Sequence, residues 1–171
     1  MIKPEYLNID VDIITRKIES KKYSGEYTTD IVGDIKNLPF KDESFEEIIC
    51  FHVIEHLYYT NGVQMLKDIY SLLKPGGKAI IEAPDILGLY WYWIEGWGGR
   101  KEPNVEGLIQ GIYGNEPQRI ERGHHTMHKW GWTKCICANH MIEIGFEIVH
   151  TGIGMSHGMG RRDFRVEGIK R

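Results

Sequence analysis

The sequence predicts an α/β fold: an open, mostly parallel sheet that ends in an antiparallel C-terminal strand. Three observations predict it. Short runs rich in apolar and β-branched residues recur along the chain, segments with helical apolar spacing separate them, and the last two runs are joined by a glycine-rich turn with no helix between them. A chain of 171 residues with 42% hydrophobic content buries one core and is short for two, so residues 1–171 are expected to form a single domain.

Residues 6–10 (Tyr-Leu-Asn-Ile-Asp) read as a short strand ending on an acid, followed by an amphipathic or irregular stretch through Ser24. Residues 29–34 (Thr-Asp-Ile-Val-Gly-Asp) read as a second strand. The Leu38-Pro39-Phe40 segment is a turn, because proline fixes its own φ and restrains its predecessor. Residues 45–51 (Phe-Glu-Glu-Ile-Ile-Cys-Phe) have the composition of a well-buried strand. A helix is expected over residues 52–59 and another over 62–73, where Met65, Leu66, Ile69, Leu72 and Leu73 share one face. The segment Lys74-Pro75-Gly76-Gly77 should stop it. A strand over 78–83, an aromatic segment over 89–99, a helix over 133–144 closed by Gly145, and strands over 146–149 and 164–169 complete the order.

Lys and Arg number 21 against 24 Asp and Glu, a formal charge of -3. No global field therefore draws the chain to nucleic acid or anionic lipid. Cys50, Cys135 and Cys137 lack the paired C-x-x-C spacing of a zinc knuckle, and an odd number of cysteines does not suit a disulfide framework. No stretch approaches the roughly eighteen consecutive apolar residues of a membrane helix, and the N-terminal residues lack the apolar run of a signal peptide. A cytoplasmic protein without nucleic-acid or membrane partners is the expectation.

Several stretches, in order and at matching spacing, resemble the class I S-adenosylmethionine-dependent methyltransferases, in particular small predicted members linked with surface-sugar biosynthesis. They are Leu7-Asn8-Ile9-Asp10, Asp30-Ile31-Val32-Gly33-Asp34, Ser44-Phe45-Glu46-Glu47-Ile48, His52-Val53-Ile54-Glu55-His56, Leu73-Lys74-Pro75-Gly76-Gly77 and Ala83-Pro84-Asp85, with weaker similarity through His128-Lys129-Trp130-Gly131 and Glu143-Ile144-Gly145-Phe146. The resemblance implies a Rossmann-like sheet and S-adenosylmethionine as cofactor. It implies that Asp10 meets the cofactor ribose, that Asp34 meets the adenine amino group, that Ile35 lies against the purine face, and that Phe51 walls the site near the sulfonium. Asp10 and Asp34 also read as ordinary strand-end and turn-forming acids.

His52 and His128 are the candidate catalytic residues, since an imidazole near neutrality can orient an acceptor or take its proton. For His52 the alternative is a helix cap or a backbone bond. His52, Glu55 and His56 also spell H-x-x-E-H, which on one helical face could hold a metal as in inverted zinc peptidases. No metal site is expected, and that triplet is the alternative. Tyr90, Trp91, Tyr92, Trp93 and Trp97 suggest either a sugar-stacking lid or a packed helix or subunit interface, and His124, His125 and His128 with Trp130 and Trp132 pose the same choice.

The family opens with a strand and a glycine-rich turn ahead of the ribose acid, and this sequence is expected to lack both. The glycine-rich segment 152–160 joins strands and does not replace them. The first central strand of the sheet is then missing, and either the strand ending at Asp10 pairs with the strand ending at Phe51 or a second copy fills the gap in a homodimer. The expected function is methyl transfer to a small-molecule or sugar (glycan) acceptor, with cofactor affinity and activity weakened or lost for want of the loop's backbone donors. The alternative is a non-catalytic methyltransferase-like binding module.

Overall fold

The structure, a computed structural model, describes residues 6–10, 15–19, 24–28, 30–34, 38–96, 102–123, 126–157 and 160–171. The chain forms two compact units, Met1–Phe40 and Lys41–Arg171.

In the first unit, β1 (Ile9–Asp10) pairs in parallel with β4 (Ile31–Val32), with Ile9 opposite Ile31 and Asp10 opposite Val32. Asn8 anchors the pair: its carbonyl accepts from the amides of Asp30 at 2.8 Å and Ile31 at 3.1 Å, and the Asp30 carboxylate accepts from the Asn8 amide at 2.8 Å. Between them β2 (Thr15–Glu19) and β3 (Ser24–Thr28) form an antiparallel hairpin, where the sequence suggested irregular structure. Thr-Arg-Lys-Ile-Glu and Ser-Gly-Glu-Tyr-Thr each hold a single large apolar residue, so neither shows the apolar alternation that marks a strand.

The second unit is built on a four-stranded sheet of β5 (Phe45–Phe51), β6 (Leu73–Pro84), β7 (Phe146–Ile153) and β8 (Asp163–Lys170), in the order β5-β6-β8-β7. β5 and β6 are parallel, and β8 runs antiparallel to both β6 and β7. The α/β class with antiparallel C-terminal strands is as the sequence predicts. The pairing of the strand ending at Asp10 with the strand ending at Phe51 is not: β1 takes β4 as its partner, and among the described residues β5 takes β6. A short strand needs only one ladder to satisfy its backbone, and Ile31-Val32 supplies it.

α1 (Tyr59–Leu72) buries Met65, Leu66, Ile69 and Leu72, the face its spacing predicts. Gly62 lies in its first turns because Trp132 packs there; a Cβ at that position would stand 2.6 Å from Trp132 Cζ2. The lysine-proline-glycine stop falls inside β6, whose register against β5 jumps from Phe45↔Leu73 to Glu47↔Lys78 as Gly76 takes a φ of 78°. α2 (Ile86–Ile94), α3 (Val105–Tyr113), α4 (Glu116–Arg122) and α5 (Lys134–Ile144) begin on Asp85, Asn104, Asn115 and Thr133, whose side chains accept from backbone amides of the first turn. α1, α2 and α5 pack against the sheet, and α3 packs on α2. Ile54, Leu73, Ile81, Leu89, Trp132, Met141, Phe164 and Val166 form the core. No helix among the described residues is long and apolar enough to cross a membrane.

The helix expected over 52–59 is not formed. His52 still donates its amide to the Glu82 carbonyl at 2.9 Å, which keeps it in the sheet ladder, and then turns the chain with a φ of 54°. Only a 3-10 turn, Ile54–His56, precedes α1. His52, Glu55 and His56 therefore do not share an α-helical face, and the peptidase geometry is absent.

Candidate functional site

In open sheets ligands bind beyond the carboxyl ends of parallel strands, and the candidate residues fall at such ends. In the first unit Asp10 ends β1, and Asp34, which is exposed, follows the neighbouring parallel strand β4. Ile35 lies outside the described residues. In the second unit Phe51 ends β5, with the Arg165 guanidinium 6.0 Å from its ring centroid.

His52 follows Phe51, and its left-handed backbone swings the imidazole toward the turn that leads to α1. Its Nδ1 lies 3.2 Å from Oε1 of Glu55, which is 2% exposed. A carboxylate only accepts, so Nδ1 carries the proton and Nε2 presents a lone pair, which the Ser156 hydroxyl meets at 2.9 Å. Asp163 Oδ2 lies 3.9 Å from the same nitrogen, and the His157 ring lies against His52 with centroids 4.1 Å apart. An imidazole oriented by a buried carboxylate, with its second nitrogen's lone pair met by a hydroxyl, has the makings of a general base.

The partners of His52 from the C-terminal strands escape the sequence reading. Ser156 is placed by Glu82, fully buried on β6, whose Oε2 accepts from the amides of Met155 at 3.0 Å and Ser156 at 2.9 Å. Oε1 of Glu82 accepts from Arg165 Nη1 at 2.6 Å, and Arg165 also donates to Glu167 at 2.6 Å. The signal that could have found this network is one charged residue inside the apolar run Ala79-Ile80-Ile81-Glu82-Ala83, since a buried carboxylate requires partners. Asp163 is held by Arg162 through bonds of 2.9 and 2.7 Å. Burial opposes its ionisation, yet the hydrogen bonds from His157 and Arg162 prevail and bring its pKa down to about 2.

His128 lies elsewhere, beside Glu55 and His56. The His56 and His128 rings meet edge-on with centroids 5.0 Å apart. Each is anchored through Nδ1 to a backbone carbonyl, His56 to Met127 at 3.1 Å and His128 to Gly111 at 2.9 Å. Burial lowers the His128 pKa against the opposing pull of Glu55. Burial raises that of Glu55, but the hydrogen bond from His52 and the neighbouring imidazoles overcome it and leave the group below the usual carboxylate value. Of the two sequence-predicted histidines, only His52 thus stands at the end of a sheet strand.

The aromatic segment forms α2 as far as Ile94, with Tyr90 and Trp91 exposed; residues 97–100, and with them Trp97, lie outside the described residues, as do His124 and His125. Trp132 is fully buried, its indole donating to the Ile54 carbonyl at 3.2 Å, so it belongs to the core.

Comparison with known proteins agrees with this fold. Residues 4–81 match a family model described as Methyltransferase domain. An uncharacterised protein of Methanocaldococcus jannaschii is 34% identical over 77 residues, 44% of this chain and 29% of that protein. A ubiquinone/menaquinone biosynthesis C-methyltransferase of Geotalea daltonii is 31% identical over 71 residues, 42% of this chain and 29% of that enzyme. The chain thus matches under a third of the length of either relative. Among solved structures, a SAM-dependent methyltransferase from Methanosarcina mazei shares the fold with a TM-score of 0.54 at 16% identity, covering 87% of this chain and 70% of that one.

Proposed function

We propose, from the match of residues 4–81 to the methyltransferase domain family and from the fold shared with a SAM-dependent methyltransferase, that this chain belongs to a class I S-adenosylmethionine-dependent methyltransferase that methylates a hydroxyl of a small-molecule or sugar acceptor with His52 as the base. The observation that carries the reading is the His52 imidazole held by the buried Glu55 carboxylate at 3.2 Å, with Nε2 facing the Ser156 hydroxyl at 2.9 Å.

S-adenosylmethionine, when bound, supplies an electrophilic methyl group on a sulfonium. Asp10 and Asp34 fit its nucleoside, one carboxylate accepting from ribose hydroxyls and the other from the adenine amine. An acceptor hydroxyl takes the place of the Ser156 hydroxyl at His52 Nε2. His52 Nε2 would take the proton of an acceptor hydroxyl as that oxygen was methylated, and the Glu55 carboxylate would stabilise the resulting imidazolium. Ser156 and Glu82 keep the base aimed, and positioning is the main contribution of the protein. The Geotalea relative is named for quinone biosynthesis, which supports a small-molecule acceptor. We place the protein in the cytoplasm, where Cys50, Cys135 and Cys137, all free, stay reduced, and as a homodimer, which sedimentation would test.

The test separates binding from chemistry. Asp10→Ala should lose S-adenosylhomocysteine binding in a calorimetric titration. His52→Ala should bind it as the unaltered chain does, yet fail to transfer label from methyl-labelled S-adenosylmethionine to a panel of hydroxylated metabolites. Undiminished transfer by His52→Ala would refute the assignment.

A second reading, a methyltransferase-like binding module, is favoured by one observation: Leu87, Tyr90 and Trp91 on α2 are 61%, 46% and 45% exposed. Transfer activity in the unaltered chain would exclude it, and unchanged glycan retention after Trp91→Ala would remove its surface.

A further inference from the structure

We propose that Glu55, His56 and His128 form a binding site for one divalent cation of the zinc class, with three protein ligands and a remaining position open to water. One ligand atom from each residue lies within 4.8 Å of the other two. Both imidazoles are oriented as ligands, because Nδ1 of each donates to a backbone carbonyl and Nε2 is left with its lone pair toward the cluster. That outer hydrogen bond is the device that fixes tautomer and ring orientation in metal-binding histidines.

Glu55 makes the second, independent point. Its side chain is 3% exposed; Oε1 is bonded to His52, whereas Oε2 is buried with no hydrogen-bond partner. An unpartnered carboxylate oxygen in a closed interior is costly, and a cation between Glu55 and the two imidazoles removes that cost. Two imidazoles and one carboxylate are a donor set that suits zinc and its neighbours better than magnesium or calcium, which prefer oxygen alone. Bonds of about 2.0–2.1 Å place tetrahedral ligands about 3.4 Å apart, so the side chains draw in by about an ångström on binding.

The neighbouring cluster of His52, His157 and Asp163 does not compete. Asp163 is already saturated by Arg162, and the His157 side chain is 45% exposed. The same carboxylate holds His52 through Oε1, so Glu55 would join the ion to the imidazole at the end of β5. Ion binding here does not require methyl transfer, and its test reads the ion alone.

The full chain, stripped with chelator and dialysed, is titrated with Co²⁺ and followed by its visible d–d absorption, then back-titrated with Zn²⁺ in competition. We expect one equivalent of Co²⁺ in a four- or five-coordinate spectrum, displaced by Zn²⁺ and not by a large excess of Mg²⁺. His128→Ala and Glu55→Gln should weaken binding by on the order of a hundredfold or more, beyond the 10–100-fold typical of losing only an outer hydrogen bond, while His157→Ala should bind as the unaltered chain does. If His128→Ala fails to fold, His56→Ala, at a position 25% exposed, carries the same comparison. Absence of the absorption band, binding insensitive to the cluster variants, or loss of binding in His157→Ala would each overturn the proposal, the last two by revealing adventitious coordination elsewhere.

Discussion

His52 is a β-strand-end residue with a φ of 54°, a conformation that costs an L-residue roughly 1–2 kcal/mol and a glycine nothing. The comparison that isolates this strain is His52→Gly against His52→Ala. Both remove the imidazole with its bonds to Glu55 and Ser156, so those losses cancel between them. Only the Cβ differs. At an ordinary position alanine is the more stable by about 0.4–1 kcal/mol, because glycine has more unfolded-chain freedom to lose. At position 52 the left-handed backbone reverses the order, and the glycine variant should be the more stable by roughly 0.5–1 kcal/mol. For a chain of this length that is about 1–4 °C in melting temperature, measurable by calorimetry or by urea denaturation followed by tryptophan fluorescence. Methyl transfer should be lost in both variants alike. A histidine kept where glycine is easier is the pattern of strain held at a functional position. If the alanine variant equals or exceeds the glycine variant in stability, the left-handed turn is not what sets the imidazole, and the base assigned to it loses its geometric ground.

Three other outcomes follow from packing and charge. Asp163 has a folded pKa of about 2 against an ordinary 3.8, so its ion pairs stabilise the fold above about pH 4, and this contribution, about 2 kcal/mol, is lost as pH falls from 4 toward 2. Asp163→Asn should flatten that part of a stability-against-pH curve, and an unchanged slope would count against the pairing with Arg162 and His157. A Cβ at Gly88 would stand 1.9 Å from the Arg161 carbonyl oxygen, so Gly88→Ala should cost at least about 2 kcal/mol by overpacking, seen as a melting point lower by roughly 4–8 °C; a shift under a degree would contradict the close approach of α2 to residues 160–162. Burial pushes the Cys50 thiol up to about 12 and raises Cys137 as well, while Cys135 is exposed. A disulfide reagent at pH 8 should therefore titrate one thiol quickly in the native chain and the other two only on unfolding.

What the sequence made legible was what periodicity and composition control. The face of α1, the buried strand β6, the Thr133 start of α5 and the antiparallel C-terminal pair each follow from local apolar spacing or from a cap residue, and each is found; β5 forms as expected but buries only Cys50. The β2–β3 hairpin went unread because its strands are held by backbone pairing with almost no apolar signal. The helix expected over 52–59 failed for a related reason. A ladder bond from His52 to the Glu82 carbonyl outweighs helical propensity, and nothing in the local sequence records which strand will lie alongside.

The site divides along the same line. Asp10, Asp34 and His52 fall at or just beyond strand ends in the order that the family resemblance implies. What surrounds His52 is assembled from far along the chain: Ser156 is 104 positions away, and Glu82 holds Ser156 across 74. His128 shows the limit most directly. It was read as a catalytic partner because it is a histidine in a matching motif, yet the fold anchors it through Gly111 and turns it toward His56 and Glu55. Of the triplet H-x-x-E-H, Glu55 and His56 lie in one cluster with His128, and His52 does not. His52 leaves the cluster by its left-handed turn and becomes the partner of Oε1, and the vacated place falls to a histidine whose relation to Glu55 only the tertiary structure reveals. Glu55 is then the residue through which the two roles meet: its Oε1 aims the base, and its buried Oε2 has no hydrogen-bond partner. Separating them requires measuring transfer and ion binding on the same Glu55→Gln variant, since a residue serving both must lose both.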